Sequence, residues 1–89
     1  MNNQTNIQYP VCRKYPHGKT FFKISSESEF EEIQIIGKHY AISTLTAKIL
    51  PERNYIYDLT FAYQGHWEEI SEEEYLLAKE NCIKNLEKI

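Results

Sequence analysis

The chain has 89 residues, 42% of them hydrophobic and 26% charged, with a net charge of −3. That supports one small core and no second one, and excludes a disordered or low-complexity chain. A net negative balance also counts against a general binder of polyanions.

Residues 1–8 are polar apart from Ile7 and read as a disordered N-terminal arm, leaving 9–89 as a single domain. The arm has neither the basic start nor the apolar run of a secretory signal. The uncharged stretch His39 to Ala47 is far short of the ~20 apolar residues a membrane helix needs. These features point to the cytoplasm and to no membrane partner. Cys12 and Cys82 are then expected to be reduced, buried thiols, because free cysteine behaves as a small hydrophobe.

From Tyr9 the pattern is strand-like. Tyr15-Pro16-His17-Gly18 is a turn, with proline setting the backbone and glycine closing it. Thr20 to Ile24 is the return strand. Placing Tyr9 and Val11 on one face with Phe22 and Ile24 requires a loop of even length. A four-residue loop or a bulge meets that condition. Ser26-x-x-Glu29 has the form of a capping box, with Phe30, Ile33 and Ile36 at helical spacing and Gly37 as C-cap, predicting a short helix over 27–36.

His39 to Leu50 reads as a strand rich in Thr, Ile and Tyr, but its apolar parity changes midway. A bulge near Thr44, or a strand covered on both faces, accounts for the change. Leu50 to Asn54 breaks it. Residues 55–63 alternate cleanly, which predicts a strand with Tyr55, Tyr57, Leu59, Phe61 and Tyr63 as its buried face. Gln64-Gly65-His66 turns the chain into a short strand, Trp67 to Ile70. Ser71-x-x-Glu74 is a second capping box, opening an amphipathic helix over 72–88 whose stripe is Tyr75, Ala78, Cys82 and Leu86. The expected order is ββαβββα: an α+β domain with a small antiparallel sheet and both helices packed on one face. The C-terminal helix is expected to lie on the 55–63 stripe.

Few constellations carry chemistry. Cys12 and His17 flank a turn, but no third group to orient them lies near in sequence, and His39 and His66 stand alone. Paired glutamates sit at expected helix starts, where the dipole favours them. Three isolated glycines do not make a phosphate loop. No catalytic residue, cofactor or metal is expected.

Charge falls in blocks. Residues 1–24 carry Arg13, Lys14, Lys19 and Lys23 and no acid, while 25–36 and 65–89 are acidic. The blocks are expected to complement one another within the fold. The best functional expectation is a non-catalytic protein-interaction domain, bound to a protein partner or to copies of itself. Tyr15, His17 and Phe21 are its candidate contacts, since aromatic side chains make low-entropy contacts. The alternative is a nucleic-acid- or ribosome-associated factor using hairpin 9–24. There Arg13, Lys14, Lys19 and Lys23 would track phosphates and Phe21 would stack on a base.

Overall fold

A computed structural model describes residues 8–86 of the chain, so the 1–7 part of the expected arm lies outside the described residues. The elements are β1 (Val11–Lys14), β2 (Thr20–Ser26), β3 (Glu29–Ile36), β4 (His39–Thr46), α1 (Leu50–Phe61), β5 (Glu68–Ile70) and α2 (Glu72–Leu86). The protein is an α+β domain built on one five-stranded antiparallel sheet, ordered β4-β3-β2-β1-β5.

The first hairpin takes the four-residue loop, one of the two alternatives the sequence leaves open. Val11 pairs with Ile24 and Arg13 with Phe22, and Tyr15 N–H donates to the Thr20 carbonyl, closing a four-residue loop. Gly18 takes φ +75°, in the left-handed region that a side chain would strain. Tyr9 and Val11 accordingly share a face with Phe22 and Ile24.

Two elements differ from expectation, so the order is ββββαβα rather than ββαβββα. Residues 27–36 are not a helix. Glu27 and Ser28 form a turn in which Ser26 Oγ accepts from Ser28 N–H, and β3 then runs between β2 and β4. The spacing of Phe30, Ile33 and Ile36 fits a helix, yet β-branched Ile33, Ile35 and Ile36 are equally at home in a strand flanked on both sides. Gly37 has positive φ, +62°, as a C-cap glycine would, but here it serves the β3–β4 turn.

Residues 55–63 are not a strand. Pro51 sits in the first turn of α1, where its missing N–H costs nothing, and the Glu52 carboxylate accepts from Lys48 and Ile49 N–H. The buried side of α1 is Ile56, Leu59 and Thr60, a helical i, i+3, i+4 stripe. The alternating tyrosines misled because tyrosine tolerates partial exposure: Tyr57 is largely exposed, Tyr55 lays its ring on Phe22 and Phe30 while staying partly wet, and Leu59 is fully buried.

The helices lie on opposite faces of the sheet, correcting the one-face expectation. Phe22, Ile24, Phe30 and Ala47 pack against Ile56 and Leu59 of α1. On the other face Cys12, Phe21 and Ile33 pack against Tyr75 and Cys82 of α2. Because α1 occupies the first face, α2 does not reach the 55–63 stripe. The parity change in β4 comes from neither a bulge nor a strand covered on both faces: the register with β3 is unbroken, Tyr40 and Ile42 serve the α2 side, Ala41, Ser43 and Leu45 on the other side are exposed, and Ala47, just past the strand, reaches the α1 cluster. α2 begins as expected, with Ser71 Oγ accepting from Glu74 N–H. Its apolar inner stripe is Tyr75, Ala78 and Cys82.

Candidate interaction surfaces

The basic hairpin spends most of its charge inside the fold. Arg13 is only 3% exposed. Its Nε donates to the Leu59 carbonyl at 2.9 Å and its Nη2 to the Thr60 carbonyl at 3.2 Å, and the guanidinium lies 3.9 Å from the centre of the Tyr63 ring. These carbonyls belong to the last turn of α1, which has no intrahelical donors left, so Arg13 caps the helix and meets the negative end of its dipole. Its charge is committed to the core.

Lys14 and Lys23 alternate with Arg13 and Phe22 across the paired strands and therefore sit on the α2 side. Lys14 Nζ is 2.9 Å from Glu74 and 4.0 Å from Glu68, and Lys23 Nζ is 3.2 Å from Glu72. Farther along α2, Lys79 pairs with Glu31, whose carboxylate also accepts from the Tyr75 hydroxyl at 2.8 Å. The basic first third and the acidic segments thus meet at the rim of α2. Phe21 is buried beneath that helix.

The hairpin tip is what remains outside. His17 and Lys19 are exposed there, with His17 Nδ1 accepting from Lys19 N–H. Tyr15 is half-buried, stacked on His17 at 5.2 Å and tilted against Trp67 at 6.0 Å. Of the residues expected to contact nucleic acid or a partner, Lys19, His17 and part of Tyr15 share this tip. Arg13, Lys14, Lys23 and Phe21 do not join them.

Cys12 and His17 are also parted. Cys12 packs under α2, whereas His17 stacks on a ring belonging to the α1 side. Burial, reinforced by Glu72, pushes the Cys12 thiol up to about 11 against the pull of Lys23 and Arg13, so it stays protonated and weakly nucleophilic. Cys82 is raised by burial alone, and both thiols are free. Among the described residues no group of three or more His, Cys, Asp or Glu is placed to hold a metal ion. No helix among them is long and apolar enough to cross a membrane.

A surface that the sequence reading missed lies on the outer side of α2. Leu76, Leu77 and Ile83 are 47%, 63% and 39% exposed and line a shallow groove with Glu73, Glu80 and Lys84. The signal was available, since Leu77 lies two residues from Tyr75 and therefore on the far side of a helix. Comparison with protein-family models, with curated proteins and with solved structures finds no match for the chain.

Proposed function

We propose that the chain is a protein-interaction domain without chemistry of its own, working in the cytoplasm. The observation that carries this reading is the outer face of α2. Leu77 and its neighbours are apolar, adjacent and wet, on a domain small enough that such a patch is a large share of its surface. Charged residues frame the leucines, as a polar rim frames the apolar centre of a contact. Free, buried thiols fit a reducing compartment. The alternative, nucleic acid held by the hairpin, loses support because Arg13, Lys14 and Lys23 are engaged within the fold.

Leu77→Glu tests the reading. The exposed position should accept the change with the thermal midpoint nearly unmoved. Proteins retained by the tagged parent from a host extract should be lost by the variant. Identical capture by both would remove α2 as the contact face. Binding of labelled single-stranded RNA that weakens with salt and with Lys19→Ala would replace the reading by the nucleic-acid one.

A further inference from the structure

The sheet has two edges of opposite character. β5 is three residues long and carries Glu68 and Glu69, so it is short and charged, as protected edges are. β4 is eight residues long, has no Lys, Arg, Asp, Glu or Pro, and pairs with β3 in unbroken register from Glu29↔Thr46 to Ile36↔His39. Within the strand no charge, proline or bulge blunts it.

The backbone of β4 can be assigned position by position. Gly37 and Lys38 form a two-residue turn with positive φ at the glycine alone, the type II′ arrangement, which makes Ile36 and His39 a pair exchanging both bonds. The alternation then turns the peptide groups of Ala41, Ser43 and Leu45 toward β3, and those of Tyr40, Ile42 and Thr44 outward. Two bonds outside the ladder agree. Ala47 N–H donates to the Ser28 carbonyl, continuing the odd-numbered series of β4, and Ile35 N–H turns away from β4 to the Lys19 carbonyl.

We infer that this edge is an interface for a second copy of the same chain, joined antiparallel about a two-fold axis at Ile42. In that register Ile42 faces Ile42 of the second copy and Tyr40 faces Thr44, each pair exchanging both of its backbone bonds. The strand complements itself, because every outward donor meets an outward acceptor with no shift. Side chains agree on both faces. Tyr40 and Ile42 already pack half-buried on the α2 side, and an isoleucine pair across the seam extends that cluster. On the other face the small Ala41 and Ser43 face each other, and exposed Leu45 comes opposite His39. Lys38 comes opposite Thr46, one strand away from Glu29 of the second copy, a meeting of opposite charges. A foreign strand would find a neutral edge with little to read. The chain's own β4 fits it throughout. This inference stands on backbone geometry and is independent of the outer face of α2.

Sedimentation velocity of the full chain over about a hundredfold range of concentration should show a monomer passing into a dimer. Thr44→Pro removes an outward N–H while leaving the β3 ladder intact, a change an edge strand tolerates, and should weaken the dimer about tenfold or more. Amide hydrogen exchange gives a second reading on the unaltered chain. Tyr40, Ile42 and Thr44 should exchange fast when dilute and slowly when concentrated, while Ala41 and Ser43 stay protected throughout. A chain that remains monomeric with those outward amides freely exchanging at every concentration would overturn the inference. So would a dimer that Thr44→Pro leaves untouched. Leu77→Glu should not alter the dimer, which separates this result from the proposed partner contact.

Discussion

The two helices are fastened to the sheet in different ways. α1 is held from inside: its Tyr55 ring packs edge to face on Phe22, Phe30 and Trp67, and the buried Arg13 guanidinium takes its last carbonyls. α2 is held by a compact cluster around Tyr75 and Cys82, with ion pairs from Lys14, Lys23 and Lys79 at its margin. The same hairpin supplies cations to both. Strand alternation sends Arg13 to one face and Lys14 to the other, and burial sets what each is worth. An unmatched carbonyl in the core costs its full desolvation, whereas a half-exposed ion pair is weakened by water and salt.

The comparison is broken most severely at Arg13. Arg13→Met keeps much of the apolar stem but strands the Leu59 and Thr60 carbonyls, and should cost about 2–4 kcal/mol in urea unfolding. Arg13→Lys should recover less than half of that, since an ammonium cannot bridge both carbonyls as the planar fork does. Full rescue by lysine would mean that charge alone holds α1.

The α2 face is probed next by alkali. The Cys12 thiol is raised in the fold, so the native state keeps a proton that the unfolded chain releases first. Its contribution is fully present below the unfolded thiol value of 9.0 and is lost as pH rises from there to about 11. The urea midpoint should fall across that window. Cys12→Ala should lie lower at neutral pH yet show a shallower fall, and parallel curves would exclude the thiol as the source. The hydroxyl of Tyr75, raised by burial and by the Glu31 carboxylate, adds a loss in the same direction that sets in above the unfolded tyrosine value of 10.0.

The smallest effect is expected at the rim. Lys14→Ala and Lys23→Ala should each shift stability by less than about 1 kcal/mol, and the difference from the parent should shrink with added salt. A loss as large as that of Arg13→Met would show that the rim pairs carry the helix.

Much of the path of the chain is legible without coordinates. Pro16 and Gly18 mark the first turn, the apolar parity of Tyr9, Val11, Phe22 and Ile24 puts them on one face, and Ser71 with the Tyr75–Ala78–Cys82 spacing marks α2. These signals are local: a turn residue, a cap and a period each act within a few neighbours. The identity of 29–36 and 50–61 is not local. Phe30, Ile33 and Ile36 suit a helix or a strand, and pairing with β2 and β4 decides for the strand. The tyrosines of 55–63 alternate without being buried, while the working stripe of Ile56, Leu59 and Thr60 becomes visible once a sheet face is there to cover it.

Arg13 is the sharpest case. In sequence it is one cation among four in a basic stretch, equal to Lys14, Lys19 and Lys23 as a phosphate contact. Alternation from Val11 made readable the face it would share with Phe22. What lay on that face was not. Near neighbours were enough to mark the turn at Pro16–Gly18, the shared face of the first hairpin and the start of the last helix. The tertiary structure alone decided that one helix covers each face, that Arg13 ends a helix 46 residues away and that β4 is left as an open edge. Each depends on which surfaces meet across the sheet, and partners so distant leave no period in the sequence.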